Sequence, residues 1–533
     1  MKKQQILTTI YLALGISIML GSCTKLDEEV YDQVLETSFK PTEKDIPAII
    51  GPAYTVLRTV MVGWQGDFDL QEEPADIIVT PVRPNGWYDA GTYQRMHKHE
   101  WTPTEWQPIN SWNENFKGVN AVNRILSQID EGSIPVTTGK EALIAELKAA
   151  RAFYYSMLID NHGNVPIVTN FKDTARPKQS TRAQVYAFIE KELVDNIGLL
   201  SEKVDNSTYG RFNKWAARAT LARLYLNAEV YTGTAQWAKC IEQCDEILTK
   251  GPYSLEPTFK ANFATTNNLS KEMVFAVPFD EIFATQNSIH MKTLASAHRN
   301  VLDLAAQPWG GNCAVPQFID TYDPDDTRMK DTWIQGPQYN VATGALILTY
   351  VKKVPSIDNT DFFDGFRIGK YEIKPGARGG LSNDYPVFRL AGIMMMKAES
   401  LLRTGKADEA AVIVTNVRKR AFAATNPAKA TVTGAELQMG SSYKYGWQNV
   451  DGTIADLQGG ADIPYGRMLD ELGWEFAAEG QRRQQLIRFG VYSRKIWFNH
   501  RPKLDGKLRI LFPIPQVEID KNPNLQQNPD YKQ

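Results

Sequence analysis

Two short segments set aromatic rings beside glycine and a polar edge: Asn85-Gly86-Trp87-Tyr88-Asp89 and Trp309-Gly310-Gly311-Asn312. Glycine lets a neighbouring ring stand clear of the backbone, which makes Trp87 and Trp309 the first candidates for stacking on the apolar face of a ligand. Tyr88, Asp89 and Asn312 stand next to them with hydrogen-bonding groups for the ligand's polar rim. Asp67 and Asp69 precede the first segment, and Arg367 follows Asp364-Gly365; all three are candidates for contacts to hydroxyls.

Other patterns invite chemistry and fail on spacing. Glu471, Glu475 and Glu479 recur every four residues, which puts the carboxylates a turn apart on one helix face rather than across a bound substrate. Arg482, Arg483 and Arg488 are at hand as ion-pair partners, so the three read as structural. The aspartates at 320, 323, 325 and 326 lack the glycine and distal glutamate of a calcium loop and read as turn formers. His97 and His99 share a strand face without a third ligand, and Cys240 and Cys244, one helical turn apart, read as packed thiols. With no Gly-x-Ser-x-Gly, no His-Glu-x-x-His and no phosphate-cradling loop, the expectation is no metal, no cofactor and no catalysis.

Helices must position the aromatic segments. In residues 384–422, Val387, Leu390, Met394, Ala398 and Leu401 keep one apolar stripe, Gly405 ends the helix, and Ala407 to Ala421 restart the period. Residues 213–248 repeat this hairpin around Gly233, with an alanine five residues beyond the glycine in both copies. Further helices are expected over 41–58, 109–129, 140–160, 181–200 (capped by Ser180-Thr181) and 468–489. Residues 63–104 and 252–383 break the period, the second region with β-type runs at 273–278 and 346–351. The expected fold class is mainly α, a helical hairpin scaffold with an irregular, loop-rich part carrying short β elements.

Residues 1–22 read as a signal peptide, with Lys2 and Lys3, an uncharged run from Ile6 to Leu20 and a Leu20-Gly21-Ser22-Cys23 cleavage box. Cys23 would then carry lipid, residues 23–40 would form a polar tether, and residues 41–533 one domain. The remaining three cysteines give no disulfide framework. At 533 residues, 43% hydrophobic, with a net charge of -2, the chain can bury a large core and shows no electrostatic preference for nucleic acid.

Four segments together resemble the SusD/RagB family of outer-membrane, surface-exposed glycan-binding lipoproteins. They are the Cys23 box, residues 389–405 with their arginine, methionine run and Lys397-Ala398-Glu399, residues 469–490 (LDELGWEFAAEGQRRQQLIRFG), and residues 511–531 with Pro513-Ile514-Pro515 and Gln527-Asn528-Pro529. Asp530, where the family usually has glycine, and Leu472-Gly473, where it has a basic pair, are departures. The resemblance implies a scaffold of tetratricopeptide-like helical hairpins, a shallow sugar site on the irregular part, an outer-membrane location through the lipid anchor, and a SusC-like TonB-dependent transporter as partner. Alternatives are a glycan-active helical enzyme using Glu475 or Glu479 as acid, and a protein-binding scaffold of the transporter complex.

Overall fold

The computed structural model describes residues 41–62, 66–84, 88–503 and 505–531. Its largest elements are helices that pack in a row. Trp106–Asp130 lies against Lys140–Asn161, which lies against Arg182–Asn196; Lys214–Leu226 lies against Trp237–Lys250, then Leu390–Arg403 and Ala407–Phe422. The two hairpins expected from the repeat are therefore neighbours in space, although about 140 residues of chain separate them.

Small residues set how closely these helices approach. Ala149, Ala150, Ala152, Ala216, Ala219, Ala222, Ala398 and Ala410 are all fully buried. At Gly118 a Cβ would stand 2.3 Å from the Tyr154 ring, so helix 106–130 can approach helix 140–161 only without a side chain there. Gly233 and Gly405 end their helices in the left-handed conformation, at φ 78° and 82°. Thr181 caps the helix Arg182–Asn196 by accepting from the Gln184 backbone N–H, and Asn213 accepts from Trp215 and Ala216.

Two expected helical stretches are interrupted. Residues Tyr385–Arg389 form a buried strand antiparallel to Met273–Val277, and the helix starts only at Leu390. Pro386 explains this: it keeps Tyr385 extended, and its missing N–H is no loss beside a bulged two-stranded pair. The long helix expected over 468–489 is two, Gly466–Phe476 and Arg482–Arg488, separated by Ala478 at φ 62° and Gly480 at φ 67°. Buried Lys370 donates to the carbonyls of Glu475 and Ala477, and Tyr371 donates to that of Ala478, so partners outside the helix take the oxygens that a continuous helix would use. Region 63–104 is likewise not all loop: Asp67–Glu72 and Thr92–His97 are short helices, almost wholly buried.

The three glutamates of helix Gly466–Phe476 and the following turn are buried ion-pair partners. Glu475 accepts from Arg389 (2.7 Å), Arg420 (2.7 Å) and Arg328 (3.1 Å); Glu479 accepts from Arg389 (2.8 Å) and Lys370 (2.5 Å). Glu471 takes Arg418, Arg467 (2.6 Å) and Arg328 (3.5 Å). Burial alone would raise the Glu475 carboxyl, and Arg420, Arg389 and Arg328 overturn that and hold it far below the carboxylate range. The expected partners pair elsewhere: Arg482 with Asp76, Arg483 with Asp160, Arg488 with Glu399. Since removing one member of such a cluster leaves a buried charge uncompensated, at about 3–5 kcal/mol, these contacts tie strand 385–389, the hairpin 390–422 and the irregular part to one another.

All six histidines of the chain are buried. Burial pushes His97, His99 and His162 down to about 3, His290 and His298 to about 4, and His500 well below the imidazole range. Below about pH 6.5 the unfolded chain binds protons that the folded chain refuses, and each histidine then removes up to about 1.4 kcal/mol of stability per pH unit. Burial raises the carboxyls of Asp67 to about 6 and Glu72 to about 7; these bind protons in the folded state and act in the opposite direction. Chemical denaturation at pH 6.5 and 5.5 is therefore expected to show a net loss on the order of 4 kcal/mol at the lower pH; equal stability at both would contradict the buried neutral imidazoles.

Candidate functional site

The candidate site rests on loops that two buried arginines hold together. Arg83 donates to the carbonyls of Gly311 (3.2 Å) and Asp361 (2.5 Å) and lies 3.2 Å from the Cys313 sulfur. Arg367 donates to the carbonyls of Thr293 (3.0 Å), Asn312 (3.3 Å) and Phe362 (2.6 Å). Burial, with Arg367 nearby, pulls the Arg83 guanidinium down to about 9, still charged at neutral pH. Backbone pairing adds to the hold: the Val82 N–H donates to Ile357, and the Thr360 N–H to Val82. Segments 82–83, 309–313 and 357–363 are thus fastened to one another through main-chain oxygens, which need no particular side chain in the loops.

Trp309 stands on this base and is 37% exposed. Its backbone N–H donates to the Met291 carbonyl and the Gly311 N–H to that of Lys292, both at 2.7 Å, so helix Ile289–Thr293 fixes the backbone that carries the ring. Gly310 between them has φ 78°, where a side chain would be strained. Tyr88 is 54% exposed and opens a turn in which Asp89, Ala90 and Gly91 are all left-handed, at φ 47°, 51° and 76°. Such backbone costs about 1–2 kcal/mol per non-glycine residue. Arg95 holds it by donating to the Ala90 carbonyl (2.7 Å) while paired with buried Glu105 at 2.8 and 2.6 Å. Asp89 is half-buried beside Tyr88.

Two exposed rings were not anticipated. Phe363, 38% exposed, follows the Phe362 carbonyl that Arg367 grips. Phe283, 88% exposed, tips a turn closed by two hydrogen bonds between Asp280 and Ala284 and by the Asp280 carboxylate, which accepts from the N–H groups of Ile282 and Phe283. The chain runs on from this turn into helix Ile289–Thr293 beneath Trp309. An aspartate two and three residues ahead of Ile282-Phe283 was the available signal. Trp87, with Asn85 and Gly86, lies outside the described residues, as does Cys23.

Four expected ligand contacts are buried instead, Asp69, Asn312 and Arg367 beneath the loops and Asp67 against the helical row. Asp69 is buried and pairs with Lys292, which also binds Glu73 (2.8 Å) and lies over the Tyr93 ring at 4.2 Å; Tyr93 donates to Asp69 at 3.0 Å. Asp67 is buried and accepts from Asn161 at 2.9 Å. Asn312 and Arg367 are fully buried, the former accepting from Thr293 and Arg367 on its carbonyl. None of the four reaches the surface at which a large ligand would lie.

The arrangement offers ring faces and polar edges rather than reactive groups. Glu475 and Glu479 are sealed in ion pairs, so neither can serve as the acid of a glycosidase. Asp323 and Asp325 pair with Lys429, Asp326 with Arg328 and Asp320 with Lys352. In the core the His99 ring stacks on Tyr492 at 4.3 Å and lies tilted against His500 at 4.0 Å. Cys240, Cys244 and Cys313 are free and buried. Among the described residues no group of three or more His, Cys, Asp or Glu side chains is arranged to hold a metal.

A helical row packed against an irregular part with short strands is a fold shared with known proteins. A SusD-like family model described as "Starch-binding associating with outer membrane" matches residues 26–226, and the SusD family model matches residues 271–531. The chain belongs to the SusD/RagB family. It is 24% identical over 521 residues to the starch-binding protein SusD of Bacteroides thetaiotaomicron, covering 87% of this chain and 85% of that protein. The SusD-like protein P25 of Formosa agariphila is 22% identical, over 98% of both chains. In structure the chain matches surface glycan-binding protein A of B. thetaiotaomicron in complex with laminarihexaose, with TM-score 0.69 and 20% identity over 91% of this chain and 99% of that one.

Because Arg83 donates only to main-chain oxygens and a thiol, Arg83→Met removes the hold and leaves those carbonyls short of a donor. Denaturant unfolding of this variant should show a loss of about 2–4 kcal/mol, and hydrogen exchange should quicken at 309–313 and 361–363. Unchanged exchange in both segments would mean that the arginine does not position the loops.

Proposed function

We propose that the chain captures oligosaccharide or polysaccharide on the rim formed by Tyr88, Trp309 and Phe363, with Trp87, Asp89 and Phe283 adjoining. The observation that carries this reading is the exposure of rings from separate held loops: Trp309 and Phe363 stand on segments that Arg83 and Arg367 fasten together, and Tyr88 on a turn that Arg95 holds. A pyranose has apolar C–H faces and a rim of hydroxyls, so ring faces bind its flat sides while carboxylates, amides and carbonyls meet its edge. The relatives named for starch and for laminarihexaose support the choice of ligand class. Asp69, Asn312 and Arg367 act in this reading by holding the rim in place, while Asp67 is bound to Asn161 within the helical part.

The same reading assigns the chain to the outer face of the outer membrane, anchored by lipid on Cys23 after removal of residues 1–22, with residues 23–40 as tether. There it hands glycan to a SusC-like TonB-dependent transporter. In support, the family is described as associating with the outer membrane, and no described helix is long and apolar enough to cross one. Lipid on the chain would then provide the attachment.

Affinity electrophoresis and calorimetry with starch, laminarin and other polysaccharides test the site. Retention by at least one of them is expected, with affinity reduced about tenfold or more in Trp309→Ala, the loss of roughly 1.4 kcal/mol or more that one stacked ring supplies. Retention by a polysaccharide that is indifferent to both Trp309→Ala and Tyr88→Ala would reject the rim as the site.

A further inference from the structure

A second aromatic and polar cluster stands on the far side of the loop that backs the rim. Trp447 lies on strand Gly446–Gln448, between Ile454–Ala455 and Trp497–Phe498, and is only partly buried. The Arg501 guanidinium covers its ring at 4.6 Å and pairs with Asp456. Both charged side chains are about half exposed, and Leu457 beside them is 64% exposed. Asp456 and Phe498 are left-handed, at φ 47° and 46°, so the backbone on both flanks of Trp447 is strained.

Loop 354–361 connects this cluster to the rim by hydrogen bonds on each side. Toward the cluster, Gln448 donates to the Val354 carbonyl (2.7 Å) and the Ile357 N–H to Asn499 (2.8 Å). Toward the rim, the Ile357 carbonyl accepts from Val82 and the Asp361 carbonyl from Arg83. Lys98 and Asp358, an exposed ion pair at 2.7 Å, sit on the same loop's outer side. One apolar surface with polar edges is thus followed, across a single loop, by another.

We infer that Trp447, Arg501 and Asp456 form a second glycan subsite, which engages sugar units further along a chain whose first units occupy the rim. The inference rests on the proposed reading of the rim. Its chemistry is that of a neutral or carboxylated sugar: an indole and guanidinium plane beneath the ring, Asp456 and Arg501 for paired hydroxyls or a carboxylate. Occupation of both places by one molecule makes the second contact intramolecular, so it adds affinity only for chains long enough to span the loop.

The test is affinity electrophoresis in laminarin and in soluble starch, followed by calorimetry with laminari- or malto-oligosaccharides of two to eight units, on the parent, Trp309→Ala, Trp447→Ala and Arg501→Ala proteins, with melting temperature as fold control. Expected is a fall in affinity of about tenfold or more at every chain length in Trp309→Ala, and in Trp447→Ala and Arg501→Ala a fall of about three- to tenfold confined to the longer chains. Binding weakened in Trp309→Ala but unchanged at every length in both other variants would overturn the second subsite and leave the rim standing. Retention of the parent by neither polysaccharide would overturn the subsite's assignment to a glucan chain together with the reading of the rim for these ligands. If Trp447→Ala fails to fold, Arg501→Ala, a change on an exposed side chain, decides between these outcomes by itself.

Discussion

Buried guanidinium–carboxylate contacts are the constraint on which the rest of the molecule depends. Glu471, Glu475 and Glu479 sit where no water can solvate them, and arginines from strand 385–389, helix Ala407–Phe422 and helix Thr327–Thr332 converge on them. A hydrophobic core tolerates sliding of one apolar face over another. Carboxylates with fixed donors do not, because a displaced donor leaves a bare charge in a medium of low polarity. The helical row and the irregular part are therefore held in one relative position by charge as well as by packing.

A second pair of arginines extends the principle outward. Arg83 and Arg367 grip main-chain oxygens in segments that have neither helix nor sheet to satisfy them. A loop fastened by its carbonyls keeps its shape whichever side chains it displays. The rings at 309 and 363 can thus face solvent without a scaffold of their own, as Tyr88 does on the turn that Arg95 holds, and on the proposed reading a stacking surface is ready before a ligand arrives, which lowers the ordering cost of binding. Sealing Glu475 and Glu479 leaves exposed ring faces, rather than those carboxyls, as the groups offered to solvent.

The helical row was legible because the 3.6-residue period survives in long helices and Gly405 and Gly233 mark its turns. The strand at 385–389 was not, since a short buried strand and a buried helical turn carry the same apolar run; only Pro386 favoured the strand. The break at 477–481 was hidden because Lys370 and Tyr371, which take its carbonyls, stand more than a hundred residues upstream. Tyr88 and Trp309 could be picked out by their glycine neighbours. Asp67 and Asp69 could not be told from surface acids, because their burial is set by Asn161 and Lys292, far along the chain. Phe363 has Gly365 two residues on, but is one of three phenylalanines within 362–366, where nothing local tells the exposed ring from the buried Phe366, and Phe283 lacks any periodic or glycine signal.

A charge-locked interior carries an exposed ring surface, and on the proposed reading glycan binds that surface without moving the interior. Hydrogen–deuterium exchange of the full chain with and without the polysaccharide that retains it measures both at once. The account predicts slowed exchange at 88–91, 309–313 and 361–363, with amides of helix Gly466–Phe476 among the slowest in either state and unchanged. Slowing confined to segments remote from Trp309, or a ligand-dependent change within helix Gly466–Phe476, would contradict it.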